Sequence, residues 1–142
     1  MDIVRRNTDY AVRLVVNLAR GYGKGPVSTK VAAEQEGVSY PLACKLMQRL
    51  HASRLIDSCM GPKGGFSLAR APSQITLLEV VEAIQGPVSI NRCLLSSDAC
   101  NRQADCVVRA KLTAIQENIV SSLAGITFDE LVRSKGTDQK RG

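Results

Sequence analysis

The sequence predicts a mainly α-helical protein that carries one small β-hairpin. Three observations lead to this fold class. Two short helical segments meet across one glycine, Gly37, as they do in a helix-turn-helix. A glycine-rich turn then separates two short apolar runs, and a long segment further on repeats apolar residues every three or four positions. Together these features predict a winged helix-turn-helix followed by a long dimerisation helix.

Composition and charge limit the kind of molecule. The 142 residues suffice for one hydrophobic core, and 44% hydrophobic with 23% charged residues is typical of a globular chain. No stretch approaches the roughly 18 consecutive apolar residues of a membrane span, and the N-terminus lacks the apolar core of a signal peptide. We therefore expect a cytoplasmic protein with no membrane partner. The net charge of +6 favours a polyanionic partner.

The first two helices are separated by a glycine-rich loop. Residues Thr8 to Arg20 repeat apolar side chains at helical spacing. After the loop, a shorter helix runs from Ser28 or Thr29 to Glu36. Gly37 ends this helix, because glycine adopts the left-handed backbone that a tight turn between helices requires.

The third helix is the second helix of the helix-turn-helix. Ser39 is its expected N-cap and Pro41 lies in its first turn. Its buried stripe is predicted to be Leu42, Leu46, Met47 and Leu50. The side chains expected to face away from this stripe are Tyr40, Pro41, Cys44, Lys45 and Gln48, with Arg49 at the flank. This helix is the candidate to enter a major groove of DNA.

A β-hairpin is predicted directly after the third helix. Leu55 to Met60 and Gly65 to Ala69 can pair as two short strands. Between them lies Gly61-Pro62-Lys63-Gly64, a sequence rich in turn-forming residues. This hairpin is the expected wing.

A fourth helix, a loop and a fifth helix follow. Thr76 and Glu79 form a capping-box pattern that opens a helix through Gln85, with Leu78, Val81, Ala83 and Ile84 facing inward. We expect a loop from Val88 to about Gln103. The long helix beyond it has an apolar seam of Val108, Leu112, Ile115, Ile119 and Leu123. A seam of that length predicts packing along a second helix, and hence a homodimer.

A second capping-box pattern, from Thr127 to Glu130, starts a last short helix. We accordingly divide the chain into four parts. Residues 1–86 form the winged helix-turn-helix and residues 87–106 a cysteine loop. Residues 107–133 hold the dimerisation helix and the short terminal helix, and residues 134–142 form a flexible tail.

Three cysteines form the most specific chemical pattern in the sequence. Cys93, Cys100 and Cys106 have six and five residues between them, so their thiolates can converge on one metal centre. Three soft ligands select an iron–sulfur cluster, zinc or copper(I). Structural zinc sites commonly use closely paired cysteines, which are absent here. Unmetallated thiols are the remaining alternative, although free cysteine prefers burial to a polar loop.

The sequence also argues against an enzyme or an electron carrier. The sequence has one histidine, and it has neither a glycine-rich phosphate loop nor paired carboxylates. It therefore lacks the residues from which a catalytic site is usually built. A ferredoxin-like carrier normally has four closely spaced cysteines. A DNA-binding regulator agrees better with the helix-turn-helix, the wing and the positive charge.

The sequence resembles the Rrf2 family of transcriptional regulators from about residue 3 to residue 133. The resemblance rests on Thr8-Asp9-Tyr10-Ala11-Val12, residues Gly37 to Leu50, Gly61-Pro62-Lys63-Gly64-Gly65-Phe66, residues Ile75 to Ile84, and the three cysteines. It implies a winged-helix dimer that binds palindromic double-stranded DNA as a regulator, and more specifically as a repressor. It also implies one iron–sulfur cluster per subunit, with 4Fe–4S favoured over 2Fe–2S.

Three cysteines leave one cluster iron without a thiolate. In some members of the family a histidine follows the last cysteine by three residues, but in this sequence Arg109 stands there. In others an aspartate of the first helix, donated by the other subunit, completes the site, and Asp9 matches that pattern. The expected ligands are therefore Cys93, Cys100, Cys106 and Asp9. The alternative is that Asp9 is an ordinary acidic residue in a first helical turn.

The residues expected to contact DNA are Tyr40, Pro41, Lys45, Gln48, Arg49, Lys63 and Gly64. Two positions depart from the family: Cys44 replaces a glutamate used to discriminate bases, and Met60 stands where an arginine often enters the minor groove. A second hypothesis keeps this fold but controls it by thiol oxidation or zinc.

Overall fold

The computed structural model describes residues 3–90 and 107–134. Its helices and strands, in chain order, are α1 (Arg6–Arg20), α2 (Thr29–Glu36), α3 (Tyr40–Ala52), β1 (Ile56–Cys59), β2 (Gly65–Leu68), a 3₁₀ helix (Pro72–Gln74), α4 (Leu77–Gln85), α5 (Val107–Ala124) and α6 (Phe128–Arg133). The strands pair antiparallel, from Ile56 with Leu68 to Cys59 with Gly65. The predicted fold class, mainly helical with one small hairpin, is confirmed.

Local sequence signals set several helix boundaries. The Ser28 hydroxyl accepts from the amide of Val31, and Gly37 ends α2 with φ of 68° and ψ of 33°, the left-handed region. The capping box at the start of α4 is complete, because the Thr76 hydroxyl accepts from the Glu79 amide while the Glu79 carboxylate accepts from the Thr76 amide. These interactions satisfy amide groups that a helix end otherwise leaves unpaired.

Some elements differ from the sequence prediction. Helix α1 begins at Arg6 rather than Thr8, and both strands are shorter than predicted. The 3₁₀ helix was not predicted, since three residues are too few to show a periodic pattern. Ser39 occupies the N-cap position of α3, but its side chain forms no capping hydrogen bond.

The core lies around α1, which packs against α2, α3, α4, α6 and β2. Its largest fully buried side chains include Leu14, Met47 and Leu50. Helix α6 adds Phe128, which is also fully buried. Two backbone hydrogen bonds join the start of α4 to the start of α6. The Leu77 amide donates to the Ile126 carbonyl, and the Phe128 amide donates to the Ile75 carbonyl. The terminal helix therefore belongs to the same core as the winged helix-turn-helix.

Helix α5 packs against α4 and leaves part of its apolar surface open. None of its residues is buried. Leu112, Ile119 and Leu123 are half-buried, whereas Val108 is 62% and Ile115 49% exposed. The predicted seam is thus divided between a face that packs within the chain and an exposed edge. Dimerisation along that edge stays a prediction.

Across residues 3–90 and 107–134, we find no helix with the length and apolar character that crossing a bilayer requires.

Candidate nucleic-acid interface

Helices α2 and α3 meet at Gly37 in the helix-turn-helix arrangement, and α3, which we call the reading helix, presents a polar outer face. Leu46, Met47 and Leu50 are buried against the core. The predicted contact residues lie on the other side, where each is exposed: Tyr40, Pro41, Lys45, Gln48 and Arg49. Periodicity alone therefore placed these five side chains on the accessible surface. Their contact with DNA stays a prediction.

Tyr40 and Cys44 interact on the exposed face of the reading helix. They are four residues apart, which brings side chains together on one side of a helix. A hydrogen bond with the Cys44 side chain raises the pKa of Tyr40, and the Coulomb interaction with Cys44 adds to the shift. A phenol hydroxyl can both donate and accept hydrogen bonds, so Tyr40 brings both capacities to this face of the helix.

Arg49 connects the reading helix to the end of α4. Its Nη1 donates to the backbone carbonyl of Ile84 at 2.8 Å. That carbonyl lies in the last turn of α4, where helical carbonyls lack partners in their own helix. Arg49 thus orients the reading helix on the rest of the domain, in addition to the DNA contact that the sequence predicts for it.

Gln85, the last residue of α4, holds the start of α1. Its Oε1 accepts from the Thr8 hydroxyl at 2.7 Å and from the Arg5 amide at 3.0 Å, and its Nε2 donates to the Ile3 carbonyl at 2.7 Å. The end of α4 is therefore bonded to both the first turn of α1 and the reading helix. We call this group of contacts the α4 junction; it comprises Thr8, Arg49, Ile84 and Gln85.

Two arginines to which the sequence pattern assigned no role border the α4 junction. Arg5 and Arg6 line one groove together with Arg49. Three arginines around one groove give this surface a positive charge, which suits phosphate oxygens. The adjacent Arg5-Arg6 pair is visible in the sequence, but only the fold shows that it lies beside the reading helix.

The wing, defined here as residues 56–68, is joined near its turn to the segment before α2. The amide and carbonyl of Phe66 pair with those of Val27 at 2.8 and 2.9 Å, which adds the segment before α2 to the edge of the hairpin. A Cβ on Gly65 would overlap the Val27 carbonyl, so only glycine permits this approach. The His51 ring also packs near the Phe66 ring, with centroids 6.1 Å apart. The wing and the reading helix are consequently joined.

The two predicted wing contacts lie at its tip. Lys63 is exposed and Gly64 is half-buried. The Gly64 amide donates to the Gly61 carbonyl at 2.9 Å, which closes the turn. Lys63 is therefore held at the end of a short, closed hairpin, accessible to a phosphate.

The predicted cofactor ligands divide between described and undescribed residues. Cys93, Cys100 and Cys106 lie outside the described residues. Asp9 is in the first turn of α1, where its Oδ2 forms an ion pair with Nη2 of Arg13 at 3.0 Å and both side chains are 52% exposed. Among residues 3–90 and 107–134, no group of three histidine, cysteine or acidic residues is arranged to bind a metal.

Comparisons with known proteins agree on one family. A family model described as "Rrf2: Iron-dependent Transcriptional regulator" matches residues 4–134. The chain is 31% identical over 126 residues to the HTH-type transcriptional regulator IscR of Xenorhabdus nematophila, covering 89% of this chain and 76% of that protein. It is 30% identical over 123 residues to the putative HTH-type transcriptional regulator ORF2 of Azotobacter vinelandii, covering 87% and 74%.

Solved structures show the same architecture. The structure of T. potens IscR aligns with a TM-score of 0.77 at 26% identity, covering 96% of this chain and 90% of that one. CymR (YrzC), the global cysteine regulator of B. subtilis, aligns with a TM-score of 0.83 at 22% identity, covering 96% and 100%. At 22% identity, the similarity to CymR shows a shared fold.

Proposed function

Because this chain belongs to the Rrf2 family and is therefore a DNA-binding transcriptional regulator and not an enzyme, we propose that it represses transcription as a homodimer controlled by an iron–sulfur cluster. The dimer binds a palindromic operator in the cytoplasm, where bacterial DNA lies. Cys93, Cys100 and Cys106 of one subunit and Asp9 of the other hold a cluster, of which 4Fe–4S is the favoured type. The three closely spaced cysteines carry this proposal.

The donor set suits such a cluster. Thiolates are the ordinary ligands of iron–sulfur clusters, and a carboxylate is a weaker ligand that leaves one iron comparatively open to a small molecule. Asp9 supports the assignment because its carboxylate is half-exposed and oriented by Arg13. The cluster would supply sensitivity to a redox-active or diffusible signal. The chain itself would supply the connection between that event and DNA.

The α4 junction supports this connection. Asp9 and Thr8 share the first turn of α1, and the Thr8 hydroxyl is bonded to Gln85. The residue before Gln85 provides the carbonyl that Arg49 of the reading helix binds. A displacement of the first turn of α1 would thus reach the reading helix through two hydrogen bonds. In a dimer, such a displacement changes the separation of two reading helices that must match half-sites roughly 34–36 Å apart.

The visible spectrum of protein purified without oxygen tests the proposal, together with its iron and sulfide content. A cluster absorbs visible light, whereas zinc and free thiols do not. Alanine at Cys93, Cys100 or Cys106 should abolish loading. Cys59→Ala is the matched control, because Cys59 is exposed on the wing and should leave the spectrum unchanged. A colourless, iron-free wild type would contradict the proposal.

Asp9 has a matched control elsewhere in the chain. Asp129 also lies in a first helical turn and pairs with an arginine four residues on, Arg133, at 2.9 Å. Asp9→Ala should weaken cluster retention or change its reactivity, whereas Asp129→Ala should not. Equal behaviour of the two variants would reduce Asp9 to an ordinary first-turn acid.

A second candidate function is control by reversible thiol oxidation or by zinc in the same fold. The partly exposed Cys44 on the reading helix favours it, because modification of that thiol would alter the surface expected to face DNA. Metal analysis and DNA titrations before and after mild oxidation distinguish the two. The second candidate predicts that oxidation abolishes DNA binding by the iron-free protein. It also predicts that oxidation no longer has this effect in Cys44→Ser.

A further inference from the structure

The tip of the wing carries a large apolar side chain that the described part of the chain does not cover. Met60 is 96% exposed, whereas the other exposed large hydrophobic residues described range from 39% to 74%. Single exposed apolar residues are common on protein surfaces. Met60, however, lies in the turn of the hairpin, where the described residues leave it almost fully exposed.

The backbone fixes the place of Met60. It directly follows the last residue of β1, and Gly61 then adopts φ of 108°, a conformation that favours glycine. The hydrogen bond from the Gly64 amide to the Gly61 carbonyl closes the turn. A Cβ on Gly64 would overlap the Cys59 carbonyl, so the turn lies close against the strand. The exposed thioether is thus presented by a well-defined tip and not by a long loop.

The charges around Met60 suit a polyanion. From residue 58 to residue 69 the sequence contains no aspartate or glutamate, and it contains Lys63. Asp57 lies lower on the wing, opposite Ser67. An apolar tip beside an exposed lysine, without a nearby carboxylate, can approach phosphates without repulsion.

We propose that Met60 is an apolar wedge that the wing inserts into the minor groove of the operator, where it partly unstacks one base step. Methionine is among the residues that unstack base steps in this way and bend the duplex. Pyrimidine–purine steps such as TA and CA are the easiest to deform. Met60 would therefore favour operators with such a step beneath the wing, while Lys63 neutralises an adjacent phosphate. The inference depends on the family's DNA binding and not on the proposed cluster.

The test uses the full-length protein and the duplex that the wild type selects from a random-sequence library. Affinity is measured by fluorescence anisotropy and bending by energy transfer between labels at the two ends. The wild type should bend this duplex by at least about 20°. Met60→Gln keeps the length of the side chain but is polar, and should bind about tenfold more weakly with a smaller bend. Met60→Leu should retain both properties.

A change in the DNA provides the second half of the test. Replacing the pyrimidine–purine step beneath the wing by an A-tract should weaken the wild type but not Met60→Gln, because only the wild type uses that step. Val31→Gln is the matched protein control, since Val31 is an exposed apolar residue on α2, outside the wing. It should bind and bend like the wild type.

The outcomes separate this inference from DNA binding itself. If the wild type selects no duplex from the library, the expected DNA binding is contradicted, and the role proposed for Met60 is contradicted with it. If the wild type binds but Met60→Gln shows equal affinity and bend, the wedge alone is wrong. If Met60→Gln bends the duplex as the wild type does but sediments differently, Met60 belongs to a contact between copies of the chain. If this variant instead binds anionic lipid vesicles differently, Met60 belongs to a lipid-facing surface. Either outcome would overturn the proposal.

Discussion

At the residue scale, Gln85 has the largest set of side-chain contacts in the α4 junction. Thr8 is the one fully buried polar residue among those described, and its hydroxyl donates to Gln85 Oε1. A buried hydroxyl that loses its acceptor costs more than an average hydrogen bond contributes, because water cannot replace the partner. The two remaining bonds of Gln85 hold Ile3 and Arg5 before α1 begins. One side chain thus orders the N-terminal segment.

We expect Gln85→Leu to lower the free energy of unfolding by about 1–3 kcal/mol, because it leaves the Thr8 hydroxyl without its acceptor. Denaturant unfolding of the apo protein measures the change. Gln74→Leu is the control, since Gln74 is exposed and caps nothing with its side chain among the described contacts. Adding Thr8→Val should recover part of the loss, because both partners are then apolar. Equal losses in Gln85→Leu and Gln74→Leu would contradict the assigned contact.

At the element scale, the helix boundaries that sequence predicts best are those with local causes. Gly37 and the Thr76 capping box act on residues within one turn of themselves, so a short stretch of sequence contains the whole signal. The contact between the wing and the segment before α2 is different. Val27 pairs with Phe66, which is remote in sequence, and Val27 carries no pattern that marks it as a strand. The link between Arg49 and Ile84 was equally inaccessible, because it depends on how α3 and α4 pack.

The contact between the wing and Val27 yields a prediction for the element as a whole. In Gly65→Ala the new Cβ would overlap the Val27 carbonyl and break the pairing between the wing and the segment before α2. We expect this change to destabilise the fold by about 1–3 kcal/mol and to weaken DNA binding. Thermal unfolding and DNA titration measure the two effects. Gly21→Ala is the matched control, since its Cβ would meet the Val27 side chain at an ordinary 3.6 Å. Loss of stability without loss of DNA affinity would show that the wing does not contribute to binding.

Helix α5 yields a prediction about assembly. Val108 and Ile115 are seven residues apart, so they lie on the same flank of the helix, and both are exposed in the single chain. Ile115→Asp should produce monomers, because a charge at this edge cannot be buried against a second copy of the helix. Ala110→Asp adds the same charge at another exposed position, on the opposite flank, and should remain dimeric. Sedimentation at micromolar concentration distinguishes them, and a monomeric wild type would refute the proposed dimer.

At the scale of the whole molecule, the positive charge is concentrated by folding. The net charge of +6 indicates a polyanionic partner but not its location. The fold brings Arg5 and Arg6 beside Arg49, and it places Lys45 on the same exposed face of the reading helix as Arg49. Sequence periodicity could predict which side of the reading helix is polar. It could not predict that the start of α1 extends the same surface.

This surface determines the expected dependence of DNA binding on salt. Each lysine that contacts a phosphate releases bound counterions, so Lys45→Ala should weaken binding to all sequences and reduce the magnitude of the salt slope by about one. Arg49→Ala should lower stability as well as affinity, because it also leaves the Ile84 carbonyl without its donor. Arg133→Ala removes an exposed charge from α6, outside the reading helix and wing, and is the control for net charge. Titrations at several salt concentrations measure the slope, and an unchanged slope in Lys45→Ala would place Lys45 away from the phosphates.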